Sequence, residues 1–350
     1  MPEPQRVLTT ASGRDVHDLC VGTMNWSAPV YGRRSTDSSA LVVQAALDAG
    51  INQFDTADCY APVDSGPTSE QLLGQHLRQL QVDRAGVFIA SKCGIRLTSG
   101  GWGRVVDNSP EYIVSSCEAS LDALQTDYLD LFYLHRLDVG RAHLKASLDA
   151  LAGLKRAGKI RHIGLSEVDA GTIMEADRIL TDLSAGVCRL DAVQSEFSML
   201  RATPLNDGVF DACRERGVRF YAYSPLSRGF LSGATQHIGE EDCRSGIPRY
   251  QGGSLEAVRR AVGQLETACK ATGMTLNQAA LGWIRWVSQS RQQYIHPVIG
   301  TSNPGHLKSN IRFGAAADSV FAQFDALIKL QPRFGERYPE VDMQEFQLSN

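Results

Sequence analysis

The chain of 350 residues lacks several things that would decide its class at once. No apolar run reaches the roughly eighteen residues a membrane helix needs, and LDLFYL at 129–134 has only the length of a strand. The opening MPEPQRVLTTASGRDVHDL has no basic start leading into an apolar core, so no secretory signal is expected. The eight cysteines (20, 59, 93, 117, 188, 213, 243, 269) are scattered singly with no CxxC, and the histidines show no HExxH or paired spacing. These absences predict reduced thiols in the cytoplasm and no metal site. Charge of one sign is not in excess: 35 basic residues face 39 acidic ones, for a net of −4. That balance offers no footprint for nucleic acid or an anionic membrane. Neither GxGxxG nor GxxxxGK[ST] occurs, which argues against a doubly wound dinucleotide fold and a P-loop.

What is present is an ordinary globular composition, with 43% apolar, 21% charged and 7% aromatic residues. Length alone suggests about two domains, but barrels of more than ~250 residues are routinely one. Short apolar or β-branched runs recur at Cys20–Met24, Ile51–Asp55, Val87–Lys92, Leu129–His135, Ile160–Ser166, Asp191–Glu196, Arg219–Ser224 and Tyr294–Gly300. Between them lie helical patterns near 36–49, 69–80, 109–125, 141–157, 169–183, 205–216, 254–271 and 303–312, with another at 275–288. Start signals support them, such as Thr68-Ser69-Glu70 and Asn108-Ser109-Pro110-Glu111. Eight such units predict an α/β chain folded as a (β/α)8 TIM barrel. One domain over 1–350 is expected, with a β-hairpin at 6–16, the barrel at about 19–315 and a C-terminal tail at about 316–350. The glycine-rich segment 226–253 reads as a long loop after the seventh strand, of a length that usually carries function.

In a barrel the chemistry sits at the C-terminal ends of the strands. Those positions hold Asp55, Lys92, His135, Ser166, Gln194, Tyr223-Ser224 and Gly300-Thr301. Singly, each has a plainer reading: Asp55 as a cap or ion-pair partner, His135 as a core histidine, Tyr60 and Tyr223 as packed aromatics. Lys92 is harder to explain by packing, because lysine is almost never buried without a partner.

The segments FDTADCY (54–60), IASK (89–92), LFYLHRLD (131–138), IGLSE (163–167), VQSEFS (193–198), YAYSPLSRG (221–229) and PVIGTSNPGHLKSNI (297–311) resemble the aldo-keto reductases. They follow the family's order over about 7–315, and SGIPRY (245–250) resembles a loop of its potassium-channel β-subunit-like and related microbial branches. The resemblance implies an NADPH-dependent reductase of an aldehyde or ketone, with NADH also admitted. It implies a tetrad of Asp55, Tyr60, Lys92 and His135, with Tyr60 as proton donor. Elementary chemistry agrees with that arrangement: reducing a carbonyl creates an alkoxide that needs a proton from a positioned acid. Tyrosine is too weak an acid at its ordinary pKa of ~10 unless a cation such as Lys92 favours its phenolate. Asp55 would hold that lysine charged, and His135 would donate to the carbonyl oxygen. Thr23, Met24, Ser166, Gln194 and the stacking ring of Tyr223 would hold the nicotinamide end. Ser224, Leu226, Ser227 and Arg228 would meet the pyrophosphate, and Thr301, Ser302, His306 and Asn310 the adenosine end. Trp26, Trp102 and Arg136 are the expected substrate-pocket residues, for a small carbonyl compound such as a sugar, keto-sugar, pyridoxal-type compound or aromatic aldehyde. Three positions depart from the family: Glu167 where Asn or Arg is usual, Gly300 where Lys is common and His306 where Arg is common. Lys308 or Arg249 could replace the missing cations at the 2′-phosphate. Two alternatives remain open: a cofactor-sensing regulatory subunit with slow turnover, motivated by the SGIPRY loop, and a non-redox barrel enzyme binding phosphate at Thr301-Ser302. Oligomeric state is left open.

Overall fold

A computed structural model describes residues 6–27, 37–62, 66–97, 104–233, 238–239, 242–313, 316–329 and 334–338. Trp102, expected in the substrate pocket, lies outside the described residues. The strands are β1 (Cys20–Gly22), β2 (Gln53–Asp55), β3 (Phe88–Cys93), β4 (Ile95–Leu97), β5 (Arg104–Val106), β6 (Leu129–Leu134), β7 (Ile160–Ser166), β8 (Ala192–Glu196), β9 (Arg219–Tyr223) and β10 (Ile295–Gly300). The helices are α1 (Met24–Ser27), α2 (Asp37–Asp48), α3 (Ser69–Gln79), α4 (Pro110–Leu124), α5 (Leu144–Arg156), α6 (Ala170–Leu183), α7 (Val209–Glu215), α8 (Gly252–Thr272), α9 (Leu276–Arg291), α10 (Pro304–Ile311) and α11 (Asp318–Lys329). Eight strands close into a parallel barrel in the order β1-β10-β9-β8-β7-β6-β3-β2, while β4 and β5 pair antiparallel beside it. This is the expected (β/α)8 barrel.

Local chemistry explains where the helices begin. Thr68 and Gln71 form a reciprocal capping box at α3, and Ser109 caps α4 with Pro110 at its first position. Asp169 accepts the Thr172 N–H at 2.7 Å to open α6. The barrel strands are largely buried on both faces, as parallel strands under helices must be. An outer apolar layer lies between strands and helices, and a smaller inner cluster of Leu8, Cys20, Phe88, Ala90, Leu131, Tyr133, Ala192, Tyr221 and Val298 fills the barrel. Gly164 is required there: a Cβ at that position would come within 2.2 Å of the Tyr133 ring.

Register then aligns the polar strand ends in adjacent rows: Asp55 beside Ala90, Ser166 beside Gln194, and Glu196 beside Tyr223. Several details depart from the sequence pattern. The first strand stops at Gly22, and Met24 opens a short helix instead. Residues 6–16 make one antiparallel bridge, Thr9 to Asp15, around a turn. The stretch after β3 contains the β4–β5 pair, which the sequence pattern did not show, and the tail contains α11. Among the described residues no helix is long and apolar enough to cross a membrane.

Candidate active site

Asp55 closes β2, Lys92 lies one residue before the end of β3, and His135 follows β6. Two backbone bonds carry the β2–β3 pairing past Asp55: Thr56 N–H to Ala90 O at 2.9 Å and Asp58 N–H to Lys92 O at 3.0 Å. The chain then turns, and the turn brings Tyr60 back over the lysine. Lys92 Nζ donates to Asp55 Oδ1 at 2.5 Å, to Thr56 O at 2.7 Å and to Tyr60 Oη at 3.3 Å. Gln194 Nε2 donates to the other Asp55 oxygen at 2.8 Å. The Tyr60 and His135 rings meet edge to face, with centroids 5.8 Å apart. The structure therefore brings all four expected tetrad residues together.

Lys92 is 0% exposed, so its charge needs a counter-ion. Burial draws the ammonium pKa down, but Asp55 and then Tyr60 override it and hold the lysine above its ordinary value. Burial pushes the Tyr60 phenol up to about 12, outweighing the opposing pull of Lys92. The expectation that the lysine alone would lower this phenol thus gives only the smaller of two effects. Burial, reinforced by Lys92, Arg136 and Arg104, holds His135 well below the usual histidine range and therefore neutral. Cys59 Sγ lies 3.5 Å from His135 Nδ1.

A second charged cluster sits across the mouth. Arg249, from the loop after β9, grips Glu196 with two bonds of 2.7 and 3.0 Å, and both residues are buried. Arg337, from the tail, donates to Glu167 Oε2 at 2.6 Å and lies 3.9 Å from Glu196. Glu167 Oε1 in turn accepts the backbone N–H of Glu196 at 2.9 Å. Next to Arg337, Tyr338 sits with its hydroxyl 3.2 Å from Tyr223 Oη and accepts from Arg228 at 3.2 Å. The long loop and the tail are thereby clasped onto the ends of β7, β8 and β9.

Residues 18–329 match the aldo/keto reductase family. The chain belongs to this family. It is 32% identical over 330 residues to an aldo-keto reductase of Gibberella moniliformis, covering 92% of this chain and 94% of that one. It is 31% identical over 319 residues to aldo-keto reductase yakc [NADP(+)] of Schizosaccharomyces pombe, covering 89% and 88%. The structure of a glycerol dehydrogenase from Gluconobacter oxydans superposes with a TM-score of 0.77 at 22% identity, covering 95% and 98%, and shares its fold. Like its family, this aldo/keto reductase is an oxidoreductase that uses a nicotinamide cofactor on small carbonyl compounds.

The mouth of the reductase offers a donor set that fits such a cofactor. Ser166 and Gln194 are buried side by side at the ends of β7 and β8. Thr23 Oγ1 is buried beside Asp55 and has no hydrogen-bond partner among the described residues. Ser224, Ser227, Arg228 and Gly229 all have positive φ (51°, 49°, 52° and 95°), which curls the backbone around Leu226 into a concave turn suited to an anion. At the adenosine end Thr301 and Asn310 are buried, Ser302 is half-buried, and His306 and Lys308 are exposed on α10. Asn303 caps α10 by accepting the N–H groups of Gly305 and His306, at 2.7 and 3.4 Å. Asn310 Oδ1 accepts from Asn277 at 2.9 Å. Met24 is half-buried at the start of α1.

Three expectations change. Trp26 is 2% exposed, and its indole N–H donates to Thr301 O at 2.9 Å, so the ring packs in the core instead of lining a pocket. Arg249 is committed to Glu196, which removes it as a partner for a 2′-phosphate. Arg136 is 7% exposed and donates to His135 O at 2.8 Å and Ser166 Oγ at 3.4 Å, so it braces the strand ends. Sequence reasoning missed the roles of Glu196, Arg337 and Tyr338. The unusual glutamate at 167 was the available signal, since a buried carboxylate there demands a cation.

Proposed function

We propose that this reductase converts a small aldehyde or ketone to an alcohol at the tetrad, preferring NADPH and admitting NADH. Reduced nicotinamide, when bound, supplies a hydride to the carbonyl carbon. Ser166, Gln194, Thr23, Met24 and Tyr223 would hold the nicotinamide end. Ser224, Leu226, Ser227 and Arg228 would hold the pyrophosphate, and Thr301, Ser302, His306 and Asn310 the adenosine. His135, neutral, donates a hydrogen bond to the carbonyl oxygen and fixes its position. Tyr60 passes its proton to the oxygen as negative charge builds there, and Lys92 stabilises the phenolate left behind until solvent restores the proton. Asp55 keeps the lysine charged throughout. The preference for NADPH draws on family habit and on the NADP(+) in the name of the yeast relative, with His306 and Lys308 as the cations at hand. We also take the chain as one barrel domain over 1–350, working in the cytoplasm, with Trp102 near the substrate.

One observation carries this reading: Lys92, fully buried, joins Asp55 at 2.5 Å to Tyr60 at 3.3 Å. A hydroxyl wired to an enclosed ammonium is a proton donor in waiting. Titration with NADPH should perturb the cofactor's fluorescence, and a carbonyl panel should identify substrates by NADPH oxidation. Tyr60→Phe should lower turnover by at least ~100-fold while NADPH binding is unchanged. Normal turnover by Tyr60→Phe would overturn the mechanism, and absence of nicotinamide binding would overturn the cofactor.

A further inference from the structure

We infer that Cys59 is a positioning residue that sets the tautomer of His135: its thiol donates S–H to Nδ1, which leaves Nε2–H as the ring's donor. The inference deepens the carbonyl-reduction reading and rests on it for its catalytic consequence. A neutral imidazole has one nitrogen that donates and one that accepts, so a histidine that must donate toward a substrate needs its other nitrogen held as an acceptor. Among the described residues, Cys59 is the only side chain within hydrogen-bond reach of the His135 ring, with Sγ 3.5 Å from Nδ1. His135 Nδ1 is likewise the only hydrogen-bond partner of that sulfur among them. The polarity follows from this mutual isolation. If Nδ1–H donated to sulfur, the thiol hydrogen would be left without an acceptor in a largely enclosed place. With S–H pointing at Nδ1, both groups are satisfied.

The two partners are held in register by different elements. His135 N–H donates to Cys93 O at 2.7 Å, tying the ring's backbone to the end of β3. Asp58, next to the cysteine, donates its N–H to Lys92 O, and its carboxylate accepts the hydroxyls of Tyr112 at 2.9 Å and Ser116 at 2.8 Å. The turn that carries Cys59 is therefore pinned on both sides. Burial, with Asp58 adding to it, pushes the thiol up to about 12, so it keeps its hydrogen at any ordinary pH. A carboxylate in its place would do the opposite, drawing a proton onto Nδ1 and favouring the imidazolium. A thiol supplies a donor with no charge, which suits a histidine that already faces Lys92, Arg136 and Arg104.

The test is long-range proton–nitrogen NMR on protein labelled with 15N-histidine, with the His135 signals assigned by their loss in His135→Gln. Native protein should show a protonated Nε2 and an unprotonated Nδ1. Cys59→Ser, which keeps a hydroxyl donor, should preserve that pattern, whereas Cys59→Val should give a mixture of tautomers. In single-turnover NADPH oxidation, Cys59→Val should slow the chemical step by about five- to tenfold, the effect expected of one lost hydrogen bond. KM and NADPH affinity should stay within about twofold, as expected for a bond that matters chiefly in the transition state. Cys59→Ser should recover most of the rate. A native spectrum with the proton on Nδ1 overturns the inference even if no variant folds. So does Cys59→Val with unchanged tautomer and rate. The expected spectra in a protein that reduces no carbonyl would uphold the tautomer assignment and sink the carbonyl-reduction reading alone.

Discussion

Two flanks of the barrel mouth treat buried carboxyl groups in opposite ways. Behind the tetrad, Glu70 is 4% exposed and accepts the Ser91 hydroxyl at 2.6 Å, while Asp58 takes hydroxyls from Tyr112 and Ser116. Burial lifts Glu70 to about 7 and Asp58 to about 6, and the hydroxyl donors only soften the rise. Across the mouth, burial would raise Glu196 as well, but Arg249 reverses it and holds the group at about 2. Glu167 is lowered in the same way, by Arg337 first and Arg136 second. Burial is common to both flanks, and the partner decides the sign: a hydroxyl stabilises a carboxylate by one hydrogen bond, a guanidinium by that bond and a full charge. On the tetrad flank the nearest cation, Lys92, is already engaged by Asp55 and Tyr60.

The largest effect should come from breaking the clasp on one side. Arg249→Ala leaves Glu196 buried with Arg337 at 3.9 Å and the more distant Arg228 as its remaining cations, and should destabilise the fold by about 3–5 kcal/mol in urea unfolding. Exchanging both partners for apolar residues, as Arg249→Met with Glu196→Leu, should restore most of that loss, because the cost lies in the orphaned charge. A cost for Arg249→Ala below about 1 kcal/mol would mean the pair behaves as if exposed, and the contrast between the flanks would fail.

Acid should separate the flanks next. Glu196 has a folded pKa of about 2 against an ordinary 4.5, so the stability it contributes is full above pH 4.5 and is lost as the pH falls toward 2. Glu70 runs the other way: its folded pKa of about 7 means its contribution is full below 4.5 and is lost as the pH rises through 7. Stability should therefore fall on both sides of mildly acid pH, by roughly 3 kcal/mol on the acid side from Glu196 alone. A flat profile between pH 5 and pH 2.5 in thermal melts would contradict the clasp's electrostatics.

The same contrast describes what could be read from the residues. The barrel was legible because its eight units repeat a pattern of short apolar runs and amphipathic helices. The tetrad was legible because Asp55, Lys92 and His135 close apolar runs where packing would not choose them. The clasp was not, since its pairs join Glu167 to Arg337 and Glu196 to Arg249 across 170 and 53 positions. Nothing in local periodicity links a strand end to a tail or to a distant loop. Trp26 misled for a related reason: a tryptophan in a loop reads as a pocket wall until the carbonyl of Thr301 is seen to take its indole. The β4–β5 pair escaped notice because three-residue strands are too short to show alternation.

The smallest expected effect is also the one that isolates the hydroxyl flank. Glu70→Gln removes a charge that burial disfavours while retaining an oxygen to accept from Ser91. At pH 4 the native side chain is protonated in both folded and unfolded chains, so the substitution should be nearly neutral there. At pH 8 the unfolded chain ionises freely while the folded one ionises against burial, so Glu70→Gln should gain up to about 3 kcal/mol over the native protein. Glu196→Gln should move oppositely, costing stability at pH 8 because Arg249 loses its counter-charge. Paired melts of the two variants at both pH values cancel effects of shape and leave charge as the variable. If both substitutions shifted stability in the same direction at pH 8, burial would be setting both acidities and the guanidiniums would be secondary.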